Sequence, residues 1–246
     1  YVGIGGSSAK TTPFRMADLA DELCELLDAL SVGPVHLLGI SKGSLVGQAF
    51  LILHPERVRS FCGLGNPNVL SQDVTHTFAI FQERLNALDE LLHIWPERID
   101  RENYVPLFNA VYVPALFARR YEALSLAERV RAWLVRRMVY PALEGTYIQT
   151  IVDLFRYYVE DIAAEAPFFA DGLPTVRGVP ILLLNGTADT TTPVKMSREL
   201  AQVLPDAELV EFEGVTHMGP MLLKKEAEPV FGRYVTSVSY THLRAH

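Results

Sequence analysis

The segment Val35-His36-Leu37-Leu38-Gly39-Ile40-Ser41-Lys42-Gly43 constrains this chain more than any other. Its first half is a short apolar run that reads as a buried strand. Its end leads directly into a helical pattern with Leu45, Val46, Ala49, Phe50 and Leu53 on the inner side. A strand that becomes a helix within so few residues strains the backbone at the turn, and the glycines at positions 39 and 43 are the small neighbours such a turn requires. The geometry lifts the Ser41 hydroxyl above the sheet and aims the next helix N-terminus at it. The five-residue pattern alone is common by chance; its setting between strand and helix gives it weight.

The same alternation extends in both directions. Residues 12–30 carry Met16, Leu19, Leu23, Leu26, Leu27 and Leu30 at three- and four-residue steps, an amphipathic helix opened by Thr12-Pro13 and ended by Ser31-Val32-Gly33-Pro34. Strands are expected at Val58–Leu64, Pro180–Gly186 and Ala207–Phe212, with helices over Val194–Leu204 and from the Glu213–Pro220 loop to about Val235. Between about Ser71 and Leu173 the pattern is helical and rich in aromatics, with no clean strand. The chain therefore reads as α/β, a mostly parallel sheet flanked by helices and interrupted by a helical subdomain. The expected domains are 1–70, the nucleophile half of the core; 71–173, a helical cap; 174–237, the acid and base half; and 238–246, a tail foreign to the fold.

A serine hydroxyl needs a base to become a nucleophile at neutral pH. Of seven histidines, His36 reads as a packed strand residue and His54 as a helix-end residue. His76 and His93 fall in the helical block, and His242 and His246 in the tail. His217 remains, in a loop between the last strand and the last helix, where a base can swing over the turn at Ser41. A base in turn needs a carboxylate to fix its tautomer. Asp189 follows a buried strand on the same rim, although it could instead cap the helix after Pro193. Asp171 and Glu213 are the weaker competitors.

The order Ser41, Asp189, His217 and the segment Gly3-Ile4-Gly5-Gly6-Ser7 resemble the α/β-hydrolase superfamily, in its branch with a helical cap between the sixth and seventh strands. The resemblance implies a serine esterase-like or lipase-like hydrolase with Ser41 as nucleophile, Asp189 as acid and His217 as base. It places one oxyanion-hole donor on the Lys42 backbone N–H. It also implies that the opening residues belong to the fourth strand, so that the first strands are missing from these residues. The loop that holds the second oxyanion donor would be missing with them, at about 2.7–4 kcal/mol of transition-state stabilisation. A half-sheet of this kind is expected to expose an apolar edge and to aggregate or be nearly inactive. The last residues, Val238–His246, resemble a translated sequencing adaptor and are set aside.

A formal charge of −7 argues against a surface that tracks nucleic-acid phosphates. The one basic cluster, Arg129, Arg131, Arg136 and Arg137, reads as a solvated helix face beside Trp133 and Leu134. Cys24 and Cys62 read as reduced core residues. No apolar run approaches a membrane span, no metal-ligand spacing appears, and no cofactor is called for. The compartment and the oligomeric state stay open, a cytoplasmic location being the default. Lys42, a cation directly after the nucleophile, points either to attraction of an anionic substrate or to an ordinary salt bridge. Phe78, Phe81, Trp95, Tyr104, Phe108, Tyr112, Trp133 and Tyr147 are expected mostly in the cap core, a few of them lining a substrate cleft.

The expected reaction is hydrolysis of an ester or related acyl bond in a small, largely apolar molecule through an acyl-enzyme. Alternatives with the same triad are an acyltransferase, a carbon–carbon bond hydrolase, and a ligand-sensing signalling protein.

Overall fold

The computed structural model describes Ser7, residues 15–92 and residues 98–217, with the side chains of His76 and Leu92 left out. The expectations for Gly3–Gly6, the Thr12-Pro13 cap, His93, Trp95, the last helix and the tail lie outside the described residues. Four strands form one parallel sheet in the order β1 (Val35–Ile40), β2 (Val58–Leu64), β3 (Ile181–Gly186) and β4 (Ala207–Phe212). Each was legible from its apolar run to within a residue at either end. Helices α1 (Met16–Ala29), α2 (Lys42–Leu53), α7 (Ala166–Gly172) and α8 (Val194–Val203) accompany the strands. Parallel strands need a crossover connection, and α2 and α8 supply two of them.

Between β2 and β3 the chain runs through α3 (Val74–Leu92), α4 (Tyr104–Phe117), α5 (Leu126–Leu143) and α6 (Ile148–Glu160). The fold divides into two compact units. One contains Thr75–Ala164, and the other contains Met16–Val74 together with the chain from Glu165 onward. Helix α7 packs on α2 and so belongs with the sheet.

In the sheet unit, Cys62, Leu64, Leu182, Leu184, Phe212 and Val215 form a buried cluster, joined by Ile40 and Val210. Burial pushes the Cys62 thiol up to about 12. Helix α2 is more enclosed than its amphipathic reading implied, since every residue from Ser44 to Leu51 is buried. Leu53, expected inside, is partly exposed at its end. Leu26 and Leu30 are also exposed rather than inward. Leu26 sits at the margin of the α1 stripe, and Leu30 follows the last helical residue. His36 is not packed in the core. It is exposed on β1, one of the two edge strands among the described residues, and its Nδ1 meets Ser60 Oγ at 2.8 Å. His54 ends α2 and pairs with Asp21 at 2.8 Å. Cys24 is only half-buried, and both thiols are free.

The helical unit has its own core. Phe81 stacks on Tyr158 and meets Phe155 edge-on, while Phe108 and Tyr112 stack. Ser125 caps α5 through a reciprocal box with Glu128. Trp133 departs from the core expectation and is 46% exposed, alongside Leu126, Val130, Leu134 and Met138 on the same helix.

Candidate active site

Ser41 occupies the turn between β1 and α2 with φ 52° and ψ −117°. This conformation is costly for any residue with a side chain, of order 1–3 kcal/mol. Close packing holds it there. A Cβ on Gly39 would lie 2.5 Å from the Gly43 carbonyl oxygen and 2.7 Å from Ser44 Cα, so the strand and the first helical turn touch backbone to backbone. The Ser41 N–H donates to the Leu64 carbonyl at 2.8 Å, and its own carbonyl accepts from Ser44 at 2.9 Å. The side chain is half-buried, and Lys42 opens α2 beside it.

Asp189 lies just past β3 and is buried. Its Oδ1 accepts the Thr191 and Thr192 N–H groups, each at 2.8 Å. This is a local Asx-type turn, and it leaves Oδ2 for other partners. Asp189 does not cap α8, whose N-cap position is Pro193 without a side-chain bond. Instead, Oδ2 accepts from the Thr192 hydroxyl at 2.9 Å and lies 2.7 Å from His217 Nδ1. Thr192 Oγ1 is also 3.0 Å from that nitrogen. A carboxylate at this position fixes the proton on Nδ1 and leaves Nε2 as the basic nitrogen. Both side chains are nearly inaccessible, at 4% for His217 and 0% for Asp189. The competitors Asp171 and Glu213 are exposed.

The imidazole packs against the residue that follows β2. Gly65, the residue after the Leu64 carbonyl that holds Ser41, has φ 57°, and a Cβ there would sit 2.8 Å from His217 Cε1. Because β1, β2, β3 and β4 are parallel neighbours, residues 41, 65 and 189 all follow the carboxyl ends of their strands. In open parallel sheets this rim is where ligands bind.

A buried polar chain links the two parts of the site. Ser44 Oγ donates to Asn66 Oδ1 at 2.6 Å, and Asn66 Nδ2 donates to Ser197 Oγ at 3.1 Å. Ser197 Oγ donates to Asn185 Oδ1 at 2.8 Å, and Asn185 Nδ2 donates to the Thr192 carbonyl at 3.1 Å. All five residues are fully buried, and a satisfied network of this kind rigidifies its surroundings. None of Gly65, Asn66, Asn185, Thr192 or Ser197 was singled out from sequence. The available signal was a set of polar residues inside or just after apolar strands, Asn185 most plainly. Among the described residues, no group of three His, Cys, Asp or Glu side chains could hold a metal ion, and no helix is long and apolar enough to cross a membrane.

Residues 1–222 match the family described as alpha/beta hydrolase fold. RutD of Yersinia enterocolitica, named for carbamate hydrolysis, is 26% identical over 205 residues, which cover 82% of this chain but only 64% of that relative. The pimeloyl-[acyl-carrier protein] methyl ester esterase of Neisseria meningitidis is 27% identical over 90% of this chain and 75% of its own length. Among solved structures, the enol-lactonase of Burkholderia xenovorans aligns with a TM-score of 0.68 at 20% identity, covering 97% of this chain and 78% of that one.

Proposed function

The chain belongs to the α/β-hydrolase fold family, and from that premise we propose that it is a serine hydrolase cleaving an ester or related acyl bond of a small, largely apolar substrate. The observation that carries this reading is the buried 2.7 Å contact between Asp189 Oδ2 and His217 Nδ1, on the rim that also holds the strained turn at Ser41. In this mechanism Ser41 Oγ attacks the carbonyl carbon while His217 Nε2 takes its proton. Asp189 steadies the imidazolium that forms. The Lys42 backbone N–H, at the start of α2, serves as one donor to the developing oxyanion. His217 then returns the proton to the leaving group. A water activated by the same nitrogen releases the acyl group and restores Ser41.

The names of the relatives, a carbamate hydrolase and a methyl ester esterase, support acyl bonds as the substrate class. They make carbamates the second arm of any substrate panel. The test combines a fluorophosphonate probe, with mass mapping of the adduct, and a panel of p-nitrophenyl esters and carbamates. Labelling at Ser41 with turnover of at least one short acyl ester is the expected result. Labelling at another serine, or turnover undiminished in Ser41→Ala, overturns the assignment.

A further inference from the structure

The helical unit contains a cleft of about 370 Å³ between the first turn of α4 and the second half of α5. Three guanidiniums line it, those of Arg101, Arg136 and Arg137, together with the rings of Tyr104, Trp133 and Tyr140. The chain as a whole carries a formal −7, so three cations gathered around one concavity run against its overall balance. Among the described residues no carboxylate pairs with any of the three. Arg137 lies over the Trp133 ring at 5.1 Å, and Arg101 is directed at the Tyr140 hydroxyl, which itself donates to Glu144 at 2.7 Å. Arg137 is thus held on an aromatic face, which guanidiniums favour, and Arg101 on a phenol oxygen.

A second observation points the same way. Tyr104 is 3% exposed, yet its hydroxyl has no hydrogen-bond partner. Buried hydroxyls are almost always satisfied, and an orphan one calls for an explanation. Its ring sits 5.1 Å from that of Tyr140, on the wall of the cleft. Burial pushes this hydroxyl up in pKa, while the nearby Arg136 charge opposes the shift, so it stays a neutral donor. An anionic oxygen that reached this hydroxyl would satisfy it, the forked N–H donors of the arginines suit the same group, and the ring walls suit a flat or apolar body. The start of α4 adds the positive end of a helix to the same side.

We propose that this cleft binds a small organic anion, a carboxylate or phosphate carried on an aromatic or apolar body. The cleft is lined by residues of the helical unit alone, and the proposal does not rest on the reading of Ser41. Calorimetric titration of the whole chain carrying Ser41→Ala, so that nothing is turned over, tests the idea with phenyl phosphate, benzoate, inorganic phosphate and phenol. Saturable binding of phenyl phosphate or benzoate is expected, and whichever binds tighter identifies the anionic group. Binding weakens at least about tenfold in Arg136→Gln/Arg137→Gln and several-fold in Tyr104→Phe. Phenol bound as tightly as the anions, inorganic phosphate bound as tightly as phenyl phosphate, or an undiminished affinity in the double variant would each overturn the proposal. If the double variant loses its far-ultraviolet helical signal, Arg101→Gln, at an exposed position, is read by the same criterion.

Discussion

At Ser41 the backbone is held in a sparsely populated conformation by what a neighbour lacks, since a Cβ on Gly39 would run into the Gly43 carbonyl and Ser44. At Asp189 and His217 the control is the reverse. Among the described residues the acid and base themselves have ordinary backbone, with positive φ confined to Gly65 and Gly214 beside them, and their side chains are oriented by hydrogen bonds to Thr191, Thr192 and each other. One half of the site is built by sterics and the other by polar satisfaction. The difference predicts how each half fails. Steric control fails through stability and shape together, whereas polar control can be removed with the fold intact.

Substitutions can separate the two. Ser41→Ala keeps the turn and removes the proposed nucleophile, so ester turnover falls by about 10⁴-fold or more with an unchanged thermal midpoint, read by parallel kinetics and calorimetry. Asp189→Asn keeps the shape but favours the wrong imidazole tautomer, and kcat drops by about 10³–10⁴ with only a modest shift in melting. Gly39→Ala attacks the steric half. Its new Cβ meets backbone that cannot rotate away, at a cost of about 3 kcal/mol in denaturant unfolding. Cys62, on the adjoining strand β2 and inert while its thiol is pushed up to about 12, becomes accessible to thiol reagents as that variant opens. Gly65→Ala displaces the imidazole directly and adds strain at positive φ, reducing kcat by roughly 10², with KM little changed. Thr192→Val removes one hydroxyl from the acid–base contact, and kcat falls by about fivefold to tenfold, in keeping with about 1 kcal/mol for one hydrogen bond.

Local features were legible in the sequence and distributed ones were not. Strand β3 is a nearly unbroken apolar run, as both faces of a buried parallel strand demand, and in β1, β2 and β4 the apolar residues bracket His36, Arg59, Glu208 and Glu211 closely enough that the limits could be read directly. The turn at Ser41 is likewise local, spelled by two glycines and a strand-to-helix switch. Asp189 and His217 could be brought to one rim because each follows a strand whose direction the parallel topology sets. Gly65 and Asn66 gave no such sign, since their neighbours His217 and Ser44 are close only in the folded chain. Burial was misread wherever a stripe outran its covering partner, at Leu26, Leu30 and Leu53, and at His36 on an edge strand. In α5 the alternation of arginine and apolar residues suggested an ordinary wet surface for Arg136 and Arg137. Only the proximity of Arg101 and Tyr104, more than thirty positions earlier in the chain, gives those cations a shared cavity.

The side-chain relay from Ser44 through Asn66, Ser197 and Asn185 to the Thr192 carbonyl has a dynamic consequence. Because each amide or hydroxyl is engaged on both sides, breaking one joint strands a buried dipole at the next. The start of α2 and the segment carrying Asp189 should then open as a single cooperative unit in hydrogen-exchange measurements. Breathing that admits a molecule must then be borne by other parts of the chain, while this spine keeps its shape through every turnover.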